Sequence, residues 1–113
     1  MIKIYHNPRC RKSREGLLML ESSGKEFKII KYLENIPTEE QLKEILKKLN
    51  ITPIQLVRKT EKIWKEQYRG NDLSDSEIIK AMIINPKLIE RPIVVNKDKA
   101  VIGRPSENIL NII

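Results

Sequence analysis

The chain has 113 residues, the usual size of one domain, and 40% hydrophobic with 33% charged residues is typical of a globular protein. One cysteine and one histidine exclude an internal disulfide and a zinc site built from Cys and His. A formal net charge of +7 favours anionic partners and, by itself, leaves double-stranded DNA open, whereas only 4% aromatic residues argues against single-strand nucleic-acid binding, which needs stacked rings.

The N-terminal third is predicted to form a strand, a helix and a second strand. Residues Ile2–Tyr5 alternate apolar and polar side chains, and the turn signal Asn7-Pro8 ends this strand. A helix is predicted from about Cys10 to the stop signal Ser22-Ser23-Gly24, and residues 27–33 are the second strand candidate. The β-α-β order implies two parallel strands joined by a crossover helix.

The middle of the chain, about residues 37–86, is predicted to be helical. Capping-box patterns at 38–41 and 74–77 each indicate the start of a helix. Pro53 opens a short helix between them, and the polar residues 59–71 are expected to form a short helix and a loop. The first long helix carries one apolar stripe: Leu42, Ile45, Leu46 and Leu49.

The last third is predicted to form a β-hairpin and a closing helix. Residues 93–95 are β-branched and indicate a buried strand, 96–99 a polar loop, and 100–103 the antiparallel partner. Pro105 suits the first position of the closing helix. The whole order, β-α-β then helices then β-β-α, predicts an α/β, thioredoxin-like fold over residues 1–113 as a single domain, with a helical insertion between its halves.

The only cysteine, Cys10, lies between the end of a strand and the start of a helix. Unpaired backbone N–H groups and the helix dipole stabilise an anion at such a place, so Cys10 should ionise more readily than an ordinary thiol. The alternative is an inert, buried cysteine that acts as a small hydrophobic residue. Neighbouring cations favour the reactive thiol: Arg9, Arg11, Lys12 and Arg14.

Ser13 follows Cys10 by three residues, which makes a Cys-x-x-Ser pattern. This pattern cannot close its own disulfide, so an oxidised Cys10 has to be resolved by a thiol of another molecule. Ser13 either donates a hydrogen bond to the thiolate or is an ordinary serine of the first helical turn. His6 either adds to the positive potential or is an ordinary surface histidine at the end of the strand.

Three arginines that are far apart in sequence could form an anion site, although each could also be a solvated surface charge. Arg91-Pro92 precedes the buried strand, where thioredoxin-type folds carry a cis-proline beside the active cysteine. Arg104-Pro105 lies where a strand becomes a helix, so both dipeptides are expected near the Cys10 loop. With Arg58 they would offer guanidinium forks, which bind tetrahedral oxyanions through two hydrogen bonds.

These motifs together resemble the ArsC family of arsenate reductases, the type that is coupled to glutaredoxin and related to the regulator Spx. The segment IYHNPRCRKSR resembles the His-Asn-Pro-x-Cys-x-x-Ser-Arg signature of that family. The segments LVRK, LIERPIVV and GRPSE resemble its three arginine motifs. The resemblance covers nearly the whole chain.

The resemblance implies reduction of arsenate to arsenite. Cys10 would be the nucleophile that forms an arsenic adduct, and His6 and Ser13 would help to keep it ionised. Glutathione, a co-substrate, would attack the adduct and glutaredoxin would then remove the glutathione; no bound cofactor or metal is implied. A monomer in the cytoplasm is expected, with neither nucleic acid nor membrane as a partner. Three side chains would hold the oxyanion: Arg58, Arg91 and Arg104.

Two other functions are open at this point. The chain could be a thiol-transfer protein of the same family without arsenate activity, whose arginines hold a glutathione carboxylate. It could also be an Spx-like regulator that binds RNA polymerase. Spx carries a Cys-x-x-Cys switch, and Ser13 removes that switch here, so the regulator is the less favoured of the two.

We expect Cys10 to react with iodoacetamide at about pH 6–7, below the value of about 8.5 at which an ordinary thiol ionises. The reason is its position at a helix N-terminus among cations. Mass spectrometry of the alkylated chain against pH measures this, and Cys10→Ser is the blank because the chain has no other cysteine. A reactivity midpoint at or above about pH 8.5 would contradict the expectation.

Overall fold

A computed structural model of the chain describes all 113 residues. The strands and α-helices are β1 (Ile2–Tyr5), α1 (Arg11–Ser23), β2 (Phe27–Ile30), α2 (Glu39–Leu49), α3 (Asp75–Ile84), β3 (Ile93–Asn96) and β4 (Lys99–Ile102). Shorter turns of 3-10 helix occur at Pro53–Leu56, Pro86–Leu88 and Ser106–Asn111, with a π-helical turn at Trp64–Tyr68. The predicted α/β class and the order of the strands are confirmed. None of the helices is both long enough and apolar enough to cross a bilayer.

The chain divides into two compact units. The first unit consists of Met1–Asn35 and Arg91–Ile113 and contains the whole sheet, whereas the second consists of Ile36–Glu90 and contains α2 and α3. The second unit spans nearly the same residues as the helical insertion that the sequence predicted at about residues 37–86.

The sheet of the first unit has the strand order β2-β1-β3-β4. β1 and β2 are parallel, as the β-α-β pattern predicted, and β3 runs antiparallel to both β1 and β4. Ile2 and Ile4 are buried and alternate with the exposed Lys3, so β1 has one apolar face. The first three residues of β3 are all buried, which agrees with a central position: Ile93, Val94 and Val95.

The strand register brings three separate segments to one end of the sheet. Tyr5 pairs with Ile93, and Ile93 pairs with Ile102. Because β3 is antiparallel to both neighbours, the residues after β1, before β3 and after β4 lie at the same end. That end carries residues 6–10, 91–92 and 103–105.

Helix α1 packs closely on this end through a glycine. A Cβ built on Gly16 would lie 2.8 Å from Pro92 Cγ and 3.2 Å from Ile109 Cδ1. A Cβ built on Gly103 would meet the same two side chains, at 3.1 Å from Pro92 Cγ and 3.0 Å from Ile109 Cδ1. The absence of a side chain at both glycines therefore lets α1, Pro92 and the C-terminal 3-10 helix approach one another. Behind them lies an apolar core: Ile2, Ile4, Leu20, Val94 and Ile109.

The second unit begins its two α-helices as the sequence predicted. Thr38 Oγ1 accepts a hydrogen bond from the Gln41 backbone at 3.1 Å, and Gln41 Oε1 accepts one from the Thr38 backbone at 2.9 Å. Ser74 and Glu77 form the same reciprocal pair, at 3.2 and 3.0 Å. Both pairs satisfy backbone N–H groups that have no partner inside the helix. The helices bury an apolar stripe each: Leu42, Ile45 and Leu46 in α2, and Ile78, Ile79, Ala81 and Met82 in α3.

Three predicted boundaries are wrong. β2 ends at Ile30 rather than at residue 33, because the Lys31 carbonyl accepts hydrogen bonds within a turn, from the backbones of Glu34 and Asn35. The hairpin loop has two residues rather than four, since Asn96 pairs with Lys99.

The third difference concerns the closing helix. It is a 3-10 helix that begins at Ser106, and Pro105 precedes it with an extended backbone at φ −68° and ψ 162°. Proline fixes only φ, and this φ value is compatible with an extended residue as well as with a helical one. Pro105 is therefore the capping residue rather than the first helical residue.

We expect Gly16→Ala to destabilise the fold although alanine is the better helix former. Alanine should gain about 1 kcal/mol within the helix, whereas overpacking against Pro92 and Ile109 costs about 1–3 kcal/mol. Urea denaturation measures the free energy of unfolding, and Ser22→Ala, at an exposed position of α1, is the control for helix propensity alone. A Gly16→Ala chain that is as stable as the parent would contradict this packing.

Candidate active site

Cys10 is the residue that caps the N-terminus of α1. It has an extended backbone, at φ −95° and ψ 122°, and its side chain makes no capping hydrogen bond. Its N–H donates to the Asn7 carbonyl at 3.0 Å, and its carbonyl accepts from the Arg14 N–H at 3.0 Å. The residue is buried, with 8% exposed. The thiol thus lies where the sequence predicted it, at the positive end of a 13-residue helix.

The loop before Cys10 is fixed by side chains on both sides. Asn7 Oδ1 accepts a hydrogen bond from the Arg9 backbone at 3.0 Å, which is a turn that asparagine favours. The Asn7 N–H donates to Ser13 Oγ at 3.0 Å, and Arg14 Nη1 donates to the Pro8 carbonyl at 3.0 Å. Two side chains of α1 therefore hold the loop that carries the cysteine.

His6 and Ser13 form a buried pair. His6 Nδ1 lies 2.6 Å from Ser13 Oγ, and the two residues are 4% and 0% exposed. This burial excludes a surface histidine for His6. Burial lowers the pKa of His6, the charges of Lys31 and Arg14 lower it further, and the hydrogen bond with Ser13 acts in the opposite direction. The neutral imidazole is therefore favoured.

The partners of Ser13 bear on its expected role. When neutral His6 carries its proton on Nε2, the Ser13 hydroxyl donates to Nδ1 and accepts from the Asn7 N–H. A hydroxyl has one proton, so in this arrangement it is not available to the Cys10 thiolate. A hydrogen bond from Ser13 to Cys10 stays a prediction, and it requires a different placement of that proton.

The cations around Cys10 differ in their surroundings. Arg9, Arg11 and Lys12 are exposed. The Arg11 and Lys12 side chains lie 3.5 and 3.7 Å from the carboxylate of Glu15. Exposed ion pairs of this kind contribute little to stability. They also offset part of the positive potential that the sequence suggested at this helix end.

The structure brings Arg91 and Arg104 to the sheet end that carries Cys10. The Gly103 N–H donates to the Pro92 carbonyl at 2.8 Å, which links the first Arg-Pro dipeptide to the residue before the second. The Arg91-Pro92 bond is cis, as predicted, and so is the bond between Arg104 and Pro105, which the sequence did not indicate. Arg91 is 8% exposed, and its Nε and Nη1 atoms are shielded from solvent.

Arg58 belongs to the second unit. Its backbone N–H donates to the Leu88 carbonyl at 2.7 Å. Its guanidinium lies 3.2 Å from Glu61 and 3.7 Å from Glu90. No sequence pattern predicts either glutamate as a site residue. The spacing of three residues between Arg58 and Glu61 was the only available signal. No group of three or more His, Cys, Asp or Glu side chains lies together in a way that could hold a metal ion.

The His6 imidazole should titrate below its usual value of about 6.5, because the folded chain disfavours the charged ring. Its contribution to stability is then present above that value and is lost as the pH falls through the folded pKa. A proton NMR titration measures this directly, since the chain has one histidine. In urea the midpoint should return to about 6.5. A folded-state midpoint at or above the unfolded one would contradict the buried pair.

The comparisons with known proteins agree with one another. The sequence model described as the ArsC family matches residues 5–112. A protein of Escherichia coli (strain K12), YfgD, described as uncharacterized, is 46% identical, with 99% of this chain and 96% of that protein covered. An arsenate reductase of Haemophilus influenzae is 46% identical, with 97% of each chain covered.

A solved structure gives the same result for the fold. The arsenate reductase from Vibrio cholerae superposes with a TM-score of 0.94 at 45% identity, over 99% of this chain and 97% of that one. The thioredoxin-like fold that the element order predicted is thereby confirmed. Because the family match and these relatives span nearly the whole sequence, the chain belongs to the ArsC family.

Proposed function

We propose that this chain is an arsenate reductase in which Cys10 is the nucleophile. The observation that carries the proposal is the position of Cys10 at the N-terminus of α1, at the sheet end that also carries Arg91 and Arg104. Relatives that are described as arsenate reductases match over nearly the whole chain, which supports the choice of substrate.

The first step joins the cysteine to arsenic. The Cys10 thiolate attacks arsenate, a sulfur–arsenic bond forms, and one oxygen leaves arsenic as water after it takes up protons. Arsenic is still pentavalent at this point. The helix N-terminus favours the attacking anion, and positive guanidinium groups stabilise the charge of the oxyanion in the transition state.

The second step needs a thiol from outside the chain, because Ser13 replaces the second cysteine of a Cys-x-x-Cys pair. A glutathione thiolate attacks the Cys10 sulfur and forms a mixed disulfide. The electron pair of the sulfur–arsenic bond passes to arsenic, which leaves as trivalent arsenite. A glutaredoxin thiol then takes over the glutathione and restores the Cys10 thiolate. A monomer in the cytoplasm, where glutathione is abundant and reduced, suits this donor.

The other site residues have supporting roles in this proposal. Arg91 and Arg104 hold the oxyanion. We assign the same role to Arg58 because the segment around it, LVRK, resembles an arginine motif of the family. His6 and Ser13 keep the loop before Cys10 in place through their hydrogen bonds and thereby help to keep the thiolate at the helix end.

Neither of the alternative functions is favoured by the comparisons. None of the relatives reported above is described as a thiol-transfer protein or as a transcription regulator.

Arsenate-dependent oxidation of NADPH, coupled through glutathione, glutaredoxin and glutathione reductase, tests the proposal. Wild-type chain should show it and Cys10→Ser should abolish it. Arg91→Ala and Arg104→Ala should lose about 10²-fold or more in kcat/KM. Arg69→Ala, at an exposed arginine of the second unit, should not change the rate. Because Arg91 is buried, Arg91→Lys provides a variant that keeps the charge and most of the volume.

Mass spectrometry separates the steps of the same reaction. Arsenate alone should leave an arsenic adduct on Cys10, and added glutathione should convert it to one mixed disulfide. A parallel assay with thioredoxin identifies the donor. If oxidised glutathione modifies Cys10 but arsenate never accelerates turnover with either donor, the chain is a thiol-transfer protein and the proposal fails.

A further inference from the structure

The positive charge of the chain is concentrated in the unit that carries Cys10. Twelve Lys and Arg residues against six Asp and Glu residues give the first unit, Met1–Asn35 with Arg91–Ile113, a formal net charge of +6. The second unit, Ile36–Glu90, has ten against nine and a net charge of +1. The excess of the whole chain therefore belongs almost entirely to one unit.

Within the first unit, the excess lies at the sheet end that carries Cys10. The His6 N–H donates to the Ile30 carbonyl at 2.8 Å, which sets the end of β2, and with it Lys31, beside the end of β1. Five exposed cations come from this segment and from the start of α1, and we call them the cationic rim: Arg9, Arg11, Lys12, Arg14 and Lys31.

The two ends of the sheet differ in their charge balance. The Cys10 end has seven cations, the rim with Arg91 and Arg104, and three carboxylates: Glu15, Glu34 and Glu107. At the opposite end three cations face three carboxylates: Lys25, Lys97 and Lys99 with Glu21, Glu26 and Asp98. The surplus is thus a local property of the surface around the thiol.

The fold gains nothing from the rim cations of α1. The N-terminus of a helix is positive, so cations in its first turn are destabilising and carboxylates are stabilising. Helices α2 and α3 follow this rule with two acidic residues each, whereas the first turn of α1 has none and begins with Arg11 and Lys12. A local preference that only one of three helices breaks points to a function of those side chains.

The exposure of the rim indicates a large partner. Cys10 is only 8% exposed, whereas the Arg11 and Lys12 side chains are 85% and 52% exposed. Exposed charges hold a small anion weakly, but they attract a large charged surface during its approach, over a Debye length of about 8–10 Å. A protein whose thiol has to reach the buried cysteine would lie against the exposed residues around it.

Glu15 bears on the kind of macromolecule. Its carboxylate lies within the rim, 3.5 Å from Arg11 and 3.7 Å from Lys12. Duplex DNA presents phosphates alone, and tight binding that relies on charge uses about 6–10 phosphate contacts, more than five cations with a carboxylate among them can supply. A protein face carries charges of both signs and can accommodate Glu15.

We propose that the cationic rim is the docking surface for the protein thiol donor that restores Cys10, a protein of the glutaredoxin class with acidic side chains around its reactive cysteine. The inference rests on the proposed function for the identity of that donor. In this step the donor thiolate attacks the glutathione sulfur of the mixed disulfide. The bond to Cys10 breaks, Cys10 leaves as a thiolate, and the donor takes the glutathione. The rim speeds the encounter, because complementary charges on two surfaces raise the association rate.

The test uses the chain glutathionylated at Cys10 with oxidised glutathione, so that it does not depend on arsenate. The probe is a glutaredoxin with acidic side chains around its reactive cysteine, and mass spectrometry follows the return of the unmodified chain. The second-order rate constant should fall about tenfold between about 20 and 200 mM NaCl, because salt screens the attraction. With 2-mercaptoethanol, a small uncharged thiol, it should change less than about 2-fold.

Variants separate docking from net charge. Arg11→Gln with Lys12→Gln should lower the glutaredoxin rate constant about 5–10-fold at low salt, whereas Glu15→Gln should raise it about 2–3-fold because it removes the carboxylate within the rim. Lys25→Gln with Lys99→Gln removes the same net charge from exposed residues at the opposite end of the sheet and should change it less than about 1.5-fold. None of these variants should alter the rate with 2-mercaptoethanol, which reports the reactivity at Cys10 itself.

The outcomes distinguish the docking surface from the proposed function. A glutaredoxin rate constant that ignores salt and the rim variants, or that falls equally in the Lys25 and Lys99 control, would overturn the proposal. So would rim variants that lose binding to a short DNA duplex while the glutaredoxin rate constant stays unchanged. If wild type does not reduce arsenate but the rate constants respond as expected, the proposed function fails and the docking surface stands. If wild type reduces arsenate and they do not respond, the docking surface fails alone.

Discussion

The antiparallel pairing of β3 with both β1 and β4 is the constraint on which the candidate site depends. It turns three segments that are distant in sequence into neighbours at one end of a sheet. The close approach of Gly16 and Gly103 to Pro92 then fixes α1 on that end, and with α1 the position of Cys10. The position of the Cys10 thiol therefore depends on the strand register and on the two glycines as much as on the charged residues around it.

Much of the fold could be predicted because its signals are local. The alternation of β1, the two capping boxes and the β-branched run of β3 each concern a few consecutive residues, and all agree with the structure. The differences arise where a backbone hydrogen bond, which the sequence pattern does not show, sets the end of a strand. The end of β2 depends on a turn that uses the Lys31 carbonyl, and the length of the hairpin loop depends on one further backbone pair, Asn96 with Lys99.

The candidate site likewise has features that local sequence signals predict and features that they do not. Chain order alone places Cys10 at a helix start and the two Arg-Pro dipeptides beside β3 and β4, so the sequence could predict these positions. It could not predict that Ser13 bonds to His6, because that contact depends on how the first helical turn faces the strand end. The pairing of Arg58 with Glu90 spans 32 residues and follows from a β-bridge that no local pattern indicates.

The hydrogen bonds of Ser13 also limit how this chain could evolve. Replacing Ser13 with cysteine would create a pair able to form its own disulfide and would end the dependence on an outside thiol. The same replacement would substitute a larger, weakly hydrogen-bonding sulfur for the hydroxyl that joins His6 and the Asn7 backbone in a fully buried position. A chain able to form its own disulfide is thus one substitution away, but that substitution conflicts with the hydrogen bonds that anchor the cysteine loop.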